Sequence, residues 1–377
     1  MQTRQLSFFL SLLLTLCLFH DTQAQQAGQI ESMKLLAPNV GWAATKQKLF
    51  WTTDGGEQWN DITPKRGPSR TITSVFFVDP SHGWILLARE GKEKQETGIA
   101  ETLFEIASTG DGGQTWFVKQ LEIPNLDASR GLSAETWLDF VDAAHGWVLV
   151  RVNGNTAMSG GVMRATDDGG TTWKTLGVPA AGPIRFITAA DGWLDGGANA
   201  DTEPGLYVTR DGGRDWERVT LKAPAEFAAK VYPTYRLPEF ADKDSGSMLV
   251  TFGEPNDESP KLALFTTKDS GHTWLARGSA KEGGTSWQTT YAGREWMALG
   301  CPNREFARLR TGGETVSQSK ASKAASEALC SRVGGGIEQA SFVDDTRGWV
   351  LLVGGGLLAT SDGGATWTDI TSPRADV

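Results

Sequence analysis

The chain has 377 residues and a formal net charge of −9, from 36 lysines and arginines against 45 aspartates and glutamates. This balance, without any basic block, argues against nucleic acid as a partner, because phosphate binding needs a local excess of Lys and Arg. The 45 glycines, 15 tryptophans and 39% hydrophobic residues exclude disorder and collagen, and they predict many tight turns beside large apolar rings.

The first 24 residues are predicted to be a signal peptide. A short positively charged start precedes the apolar run Leu6–Phe19, and small residues follow at a cleavage site near Ala24. We therefore expect an exported protein, periplasmic or secreted. Its mature part, residues 25–377, has no further apolar run of the roughly 20 residues that a membrane-spanning helix needs.

Two short patterns recur along the mature chain. The motif Thr-x-Asp-x-Gly-x-x-Trp occurs six times, and an apolar run that ends in Gly-Trp precedes most copies. Recurrence of this kind is typical of repeat architectures. The aspartate and tryptophan of the six copies are Asp54 and Trp59, Asp111 and Trp116, Asp168 and Trp173, Asp211 and Trp216, Asp269 and Trp274, and Asp362 and Trp367.

A seventh, degenerate unit is visible between the fifth and sixth good copies. Glu295-Trp296 stands where Gly-Trp is expected, and Leu309–Val316 stands where the motif is expected, without its Asp and Trp. The units span approximately residues 29–63, 71–124, 133–179, 182–224, 232–277, 284–318 (degenerate) and 335–373.

Each unit divides into four short strands separated by turns; in the last unit we place them at 338–343, 349–353, 356–360 and 366–370. Seven such units predict an all-β fold, a single seven-bladed β-propeller of four-stranded antiparallel blades over residues 25–377. A solenoid would show shorter periods, and a sandwich has no reason to repeat one turn six times. The pattern leaves open whether the ring closes in phase or by exchange of one strand between the termini.

The repeated motif suits a hairpin turn, and each copy is called an acidic turn below. Asp accepts hydrogen bonds from nearby backbone N–H groups, the glycines supply positive φ, and the Thr hydroxyl closes the same loop. The Trp ring can cover the turn and wedge between units, burying about 200 Å². A calcium loop needs several oxygen ligands at alternate positions, so we predict structural turns, with no metal and no cofactor.

The six acidic turns resemble the bacterial neuraminidase repeat, or Asp-box. Their pairing with Gly-Trp in seven units resembles the photosystem II stability and assembly factor family of exported propellers. That resemblance implies a non-catalytic platform that binds a protein partner, such as a membrane-protein assembly intermediate. The same repeat is shared by sialidases and polysaccharide hydrolases, so a carbohydrate-active enzyme or glycan-binding protein is the alternative.

Known catalytic patterns are absent from the sequence. There is no phosphate-binding loop and no Gly-x-Ser-x-Gly elbow. Tyr235-Arg236-Leu237-Pro238 is similar to the arginine motif of sialidases but follows four acidic turns, whereas in sialidases it precedes the first. We predict no catalytic residues, although two carboxylates from different blades could still form a glycosidase pair. Exposure of Trp137 and Trp287 would favour glycan binding.

Surface candidates are five arginines and several long connections, which are either solvent loops or a partner-recognition face. The arginines are Arg236, Arg294, Arg304, Arg308 and Arg310. The long connections are Arg89–Thr102, Asn125–Ala134, Asn153–Gly161, Ala225–Pro238, Glu254–Lys261 and Ser317–Ser331.

Two cysteines lie in the mature chain. Cys301 and Cys330 are predicted to form a disulfide bond in an oxidising compartment, with two free buried thiols as the alternative. Such a bond would tether the degenerate unit to the last one. We expect a monomer.

Overall fold

The computed structural model describes residues 28–65, 70–93, 100–123, 135–153, 159–196, 205–224, 232–253, 261–281, 288–292, 295–300, 307–312, 315–320, 329–330 and 336–371. The predicted signal peptide, residues 1–24, lies outside these ranges. Within them, no helix has the length and apolar character needed to cross a membrane.

The described residues form seven antiparallel sheets. The first contains β1 (Ser32–Ala37), β2 (Val40–Ala44), β3 (Leu49–Thr52) and β4 (Asn60–Asp61). The second contains β5 (Thr71–Phe77), β6 (Gly83–Glu93), β7 (Ala100–Thr109) and β8 (Phe117–Leu121). The third contains β9 (Thr136–Phe140), β10 (Gly146–Asn153), β11 (Ser159–Thr166) and β12 (Lys174–Leu176). The fourth contains β13 (Ile184–Phe186), β14 (Gly192–Asp195), β15 (Leu206–Thr209) and β16 (Glu217–Arg218).

The last three sheets follow in chain order. The fifth contains β17 (Tyr232–Tyr235), β18 (Glu239–Phe240), β19 (Gly246–Gly253), β20 (Lys261–Thr267) and β21 (Leu275–Lys281). The sixth contains β22 (Gln288–Ala292), β23 (Glu295–Gly300), β24 (Ala307–Gly312) and β25 (Thr315–Lys320). The seventh contains β26 (Ile337–Phe342), β27 (Gly348–Leu352), β28 (Leu357–Thr360) and β29 (Thr368–Asp369).

Each sheet is an antiparallel meander whose strands keep their chain order. This confirms the predicted all-β propeller built from four-stranded antiparallel blades. The fifth sheet departs from the prediction, because its first strand is split into β17 and β18, which both pair with β19. The break falls at Arg236-Leu237-Pro238, where Pro238 has no backbone N–H to give to the ladder.

The Gly-Trp pattern is explained by packing between neighbouring sheets. A Cβ on Gly83 would lie 2.3 Å from the ring of Phe77, and one on Gly146 would lie 2.2 Å from the ring of Phe140. Glycine therefore lets a phenylalanine ring lie flat across the adjacent strand. Trp84 of the second sheet then stacks on Phe140 of the third, with centroids 3.6 Å apart and rings nearly parallel.

The first and last sheets pack together, so the ring closes without exchange of a strand. Each of the two consists of strands from one contiguous stretch of chain. Met33 N–H donates to Gln339 Oε1 and Leu35 N–H to Ser341 Oγ, both at 3.1 Å. Met33 and Leu35 share an apolar cluster with Trp349. Closure thus depends on side chains and packing, a point that the sequence pattern left open.

The two ends of the ring differ. At the turn end, the acidic turn of each of six sheets lies beside the turn between that sheet's first two strands, as in the Gly112 N–H to Ser81 O bond of 2.9 Å. At the opposite, loop end lie the connections between second and third strands and those between sheets. Strands that flank all six long connections predicted from the sequence end there.

Candidate functional site

The acidic turns bond their aspartates internally, and four of the six copies use both carboxylate oxygens. In the second sheet, Thr109 Oγ1 donates to Asp111 Oδ1 at 2.8 Å. The backbone N–H of Thr115 donates to the same oxygen at 2.9 Å, and the Thr115 hydroxyl donates to Oδ2 at 2.6 Å. The Thr-to-Asp bond recurs at 2.7 to 2.9 Å in all six copies. Each turn is therefore closed by its own residues.

These hydrogen bonds stabilise the charged form of the carboxylates. The Thr115 hydroxyl and backbone lower the pKa of Asp111 to about 2, and Thr172 and Thr273 do the same for Asp168 and Asp269. Such carboxylates are poor general acids at neutral pH. Within the described ranges, no three His, Cys, Asp or Glu side chains are arranged to hold a metal ion.

The tryptophans of the acidic turns pack between neighbouring sheets. Trp59 packs against Trp349 and Ile370 of the preceding sheet in the ring and donates its indole N–H to Ile370 O at 3.2 Å. The other five are also half-buried in a cluster that includes the sheet before their own; they are Trp116, Trp173, Trp216, Trp274 and Trp367.

Three of the five predicted partner arginines lie within the described residues, and their role in partner binding stays a prediction. Arg236 is exposed at the break between β17 and β18. Arg308 and Arg310 lie two residues apart on β24 of the sixth sheet. Arg294 and Arg304 lie outside the described residues.

Two further sequence candidates fall partly outside the described ranges. Cys330 is buried, but Cys301 lies outside, and the disulfide bond stays a prediction. Trp287 also lies outside. Trp137 is half-buried and covered by the guanidinium of Arg151, 5.6 Å from its ring, so it is no open platform for a sugar.

The sequence reasoning missed a set of residues on the inner strands. In every sheet, one inner-strand residue pairs with the second residue of the Gly-Trp pattern or its equivalent. These seven residues lie at one level of the innermost strands, near the turn end, and we name them the channel ring. They are Lys34, Phe76, Asp139, Arg185, Glu239, Tyr291 and Ser341.

Three residues of the channel ring form an ionic chain across three consecutive sheets. Arg185 Nη2 lies 3.0 Å from Glu239 Oε2, and Arg185 Nη1 lies 3.8 Å from Asp139 Oδ1. Asp139 is 2% exposed, and its other oxygen accepts the N–H of Phe186 at 2.5 Å. Lys34 belongs to the first sheet, which lies across the channel because neighbouring sheets follow chain order round the ring.

Burial and mutual charge shift the pKa values of these groups. Burial raises the pKa of Asp139 to about 7, although Arg185 opposes the rise. Burial, and secondly the positive charge of Arg185, lower the pKa of Lys34. The Lys34 side chain is nevertheless open to channel water, so protein surrounds the amine without covering it. Burial disfavours the charged form of Arg185, but Glu239 and Asp139 overcome it and raise its pKa.

This arrangement does not suit glycoside hydrolysis. A glycosidase holds its sugar, and in inverting enzymes a water, between two carboxylates. Here a guanidinium lies between the carboxylates of Asp139 and Glu239, and Asp139 is buried. Asp139 and Glu239 are therefore not a free acid and base pair.

A register signal could have found the channel ring. In six of the seven sheets the residue after the channel-ring position stands six positions before the glycine of the Gly-Trp pattern, as Phe140 does before Gly146. Aligning the units on this spacing places Asp139 and Arg185 at equivalent positions. Their contact could not have been read from that alignment, because it depends on side-chain reach between sheets.

Comparison with known proteins confirms the predicted resemblance. No family model matches the chain. It is 30% identical over 146 residues to the photosystem II assembly lipoprotein Ycf48 of Synechococcus sp., a match that covers 38% of this chain and 35% of the relative. It is 21% identical over 336 residues to the chloroplastic photosystem II stability/assembly factor HCF136 of Oryza sativa subsp. japonica, covering 82% and 73%.

A carbohydrate-active relative also appears. The chain is 27% identical over 241 residues to a probable oligoxyloglucan-reducing end-specific xyloglucanase of Neosartorya fischeri, covering 59% of this chain and 24% of the relative. The chain thus matches about a third of the Synechococcus protein and a quarter of the fungal one.

Solved structures show the same fold. YCF48 from Cyanidioschyzon merolae is 16% identical, with a TM-score of 0.50 over 82% of this chain and 88% of that one. The GH74 xyloglucanase from Xanthomonas campestris is 13% identical, with a TM-score of 0.53 over 92% and 55%. At such identities the likeness concerns architecture alone.

Proposed function

We propose that the mature chain is an exported, non-catalytic seven-bladed propeller that binds a protein partner during assembly of a membrane complex. The similarity to relatives named as photosystem II assembly and stability factors supports this role, and the similarity to the rice protein extends over 82% of the chain. The seven sheets are then the seven blades of one domain over residues 25–377, exported by the signal peptide at residues 1–24 and stapled by a Cys301–Cys330 disulfide bond.

One observation carries the non-catalytic part of this proposal. The carboxylates of Asp139 and Glu239 both flank Arg185, which lies 3.0 Å from Glu239. Asp139 is also bonded to backbone and buried. A hydrolase needs two carboxyl groups that reach a substrate, and these two reach the arginine instead.

The loop end is the proposed partner face. In the six sheets with an acidic turn, the turn end consists of short turns whose polar groups are bonded to one another, as in the Asp111 turn. The strands that flank the long connections end at the opposite side. Connections that exceed the minimum length are where a rigid scaffold most often carries recognition.

The second candidate function is carbohydrate hydrolysis. The fungal xyloglucanase relative favours it, at 27% identity over 241 residues. The two functions predict different results in one experiment. The mature chain, residues 25–377, is immobilised and used to capture proteins from solubilised membranes, and the same preparation is assayed on xyloglucan and a panel of other polysaccharides.

Recovery of subunits of a membrane complex, identified by mass spectrometry, together with no sugar release is the expected result. A variant with Arg236→Ser, Arg308→Ser and Arg310→Ser tests whether those arginines belong to the partner surface, and Arg214→Ser at an acidic turn is the matched control. Turnover of a polysaccharide without any captured membrane protein would overturn the proposal.

A further inference from the structure

Lys34 is the residue of the channel ring whose charge is unbalanced. Arg185, Glu239 and Asp139 are bonded to one another or to backbone. In the part of the chain that the structure describes, the Lys34 ammonium makes no hydrogen bond or ion pair, and its side chain is open to the channel.

The backbone of Lys34 is held in place from both sides. Its neighbours Met33 and Leu35 are buried, at 0% and 2% exposed. Their N–H groups donate to Gln339 and Ser341 of the seventh sheet. Because successive side chains of a strand point to opposite faces, Lys34 lies on the face away from this packed interface. The position is rigid, and the amine on it is available.

The charges at this level of the channel sum to one positive charge below neutral pH. Arg185 and Glu239 cancel as an ion pair. Asp139 is the third charged group that faces the cluster, and it is mostly protonated below its pKa of about 7. The other members of the ring, Phe76, Tyr291 and Ser341, are uncharged at neutral pH. Only the Lys34 ammonium is then without a counter-charge.

We propose that the central channel binds one carboxylate group at the Lys34 ammonium, with the Arg185–Glu239 pair as the opposite wall. A monoanion balances the single charge, whereas a phosphate dianion would leave a net negative charge among partly desolvated groups. The carboxylate can belong to a small organic acid or to a peptide. The inference goes beyond the proposed function, because it needs no protein partner.

Binding should weaken as the pH rises through 7. Deprotonation of Asp139 adds a negative charge to a cluster that already contains Glu239, and the ammonium of Lys34 then has a counter-charge within the protein. By linkage, the proton on Asp139 and the carboxylate favour each other's binding. The groups that set this dependence are Asp139 of β9, Arg185 of β13, Glu239 of β18 and Lys34 of β1.

Calorimetric titration of the mature protein with sodium acetate, against sodium chloride at equal ionic strength, tests the site. Acetate should bind at pH 6 and bind about fivefold more weakly at pH 8. Lys34→Gln should lose about tenfold or more in affinity, as expected for a charge-assisted hydrogen bond. Lys174→Gln, which removes an exposed lysine paired with Asp167, should bind as the unaltered protein does.

Asp139→Asn separates the two parts of the inference. It should lose most of the difference in acetate affinity between pH 6 and pH 8, because Asp139 no longer titrates; any remaining difference belongs to Lys34, whose pKa is lowered. No acetate binding by the unaltered protein, or equal binding by Lys34→Gln, overturns the site; an unchanged pH dependence in Asp139→Asn overturns the role of Asp139.

A second measurement does not depend on variants. Acylation of lysines by an N-hydroxysuccinimide ester, followed by peptide mapping, should show that acetate slows labelling of Lys34 and leaves Lys174 unaffected. Equal rates for Lys34 with and without acetate contradict the proposal. A hexa-alanine peptide with a free C-terminus, compared with its amide, identifies the source: tighter binding of the free acid than of acetate indicates a chain-borne carboxylate, and binding of acetate alone indicates a small acid.

Loss of acetate binding in Lys34→Gln with partner capture intact would show that the carboxylate site exists apart from the partner surface. Partner capture that fails while acetate still binds would instead reject the proposed function and leave this inference standing.

Discussion

The pKa of aspartate is shifted in opposite directions in two regions of this propeller. These regions are the acidic turns, called the rim below, and the channel ring. At the rim, Asp168 accepts hydrogen bonds from Thr166 and Thr172, and its pKa falls to about 2. In the channel, Asp139 is buried, and its pKa rises to about 7. The rim repeats one solution six times, whereas the channel ring has a different residue in each sheet. The repeated residues close the turns, and the residues that differ between sheets set the charge of the channel ring.

Removal of Arg185 should have the largest effect on stability, because Arg185 contacts both carboxylates of the channel ring. Arg185→Ala leaves Glu239 without its partner and Asp139 without the cation that opposes its protonation. Breaking a buried pair costs about 3 to 5 kcal/mol. Since the Arg185 side chain is 38% exposed, we expect about 2 kcal/mol in urea unfolding at pH 7. Arg185→Lys keeps the charge but loses the guanidinium group that contacts both carboxylates. Its loss of stability should be smaller than that of Arg185→Ala. An Arg185→Ala protein as stable as the unaltered one would show that the ionic chain is not structural.

The next largest effect is expected for the pH dependence of stability that Asp139 causes. Because its pKa is about 7 in the folded chain against 3.8 ordinarily, the folded state binds more protons between these values. Its contribution is therefore favourable at low pH and is lost as the pH rises from about 4 to about 7. Asp139→Asn keeps an oxygen for the Phe186 N–H and cannot ionise. It should be more stable than the unaltered protein at pH 8 by about 1 kcal/mol or more, since a tenfold change in a protonation equilibrium corresponds to about 1.4 kcal/mol.

The measurement is the unfolding free energy of both proteins from pH 5 to pH 8. The difference between them should grow with pH. A difference that is constant over this range would mean that Asp139 is ionised throughout.

Rim aspartates should show the reverse sign and a smaller effect. Asp168→Ala removes the acceptor for Thr172 and should cost about 1 kcal/mol, the typical loss when a capping side chain is deleted. Because the pKa of Asp168 is lowered, its contribution is present above about pH 4 and is lost as the pH falls towards 2. Asp167→Ala is the matched control: the neighbouring side chain is exposed and paired with Lys174, and such exposed pairs contribute little to stability. Thermal unfolding at pH 7 and pH 3 measures both, and equal losses for the two variants would refute a special role for the turn.

Most of the rim could be predicted from the sequence, and most of the channel could not. The strands of the last sheet lie within two residues of their predicted bounds, as β28 at Leu357–Thr360 shows against a prediction of 356–360. The acidic turns were predictable because their bonds are local, within four residues. The contact of Arg185 with Glu239 joins residues 54 positions apart in two different sheets, and its register depends on Pro238 splitting the inner strand beside it. Local pattern carries no information on such a contact.

The smallest effect is expected within the rim itself, at the turn that departs from its repeat. Ser270 stands where the other acidic turns have glycine, and its φ is +57°, against +80° for Gly212. A left-handed backbone is strained for a side chain with a Cβ. Ser270→Gly relieves this strain and loses one 3.1 Å bond from Ser270 Oγ to Asp244. A net gain of about 0.5 kcal/mol is expected from urea unfolding. Gly212→Ser, the converse change in the fourth sheet, should destabilise, because the position equivalent to Asp244 is Ala190, which has no side-chain oxygen to accept the new hydroxyl. If Ser270→Gly instead destabilises, the bond to Asp244 outweighs the backbone strain, and the serine is a fitted part of the fifth turn.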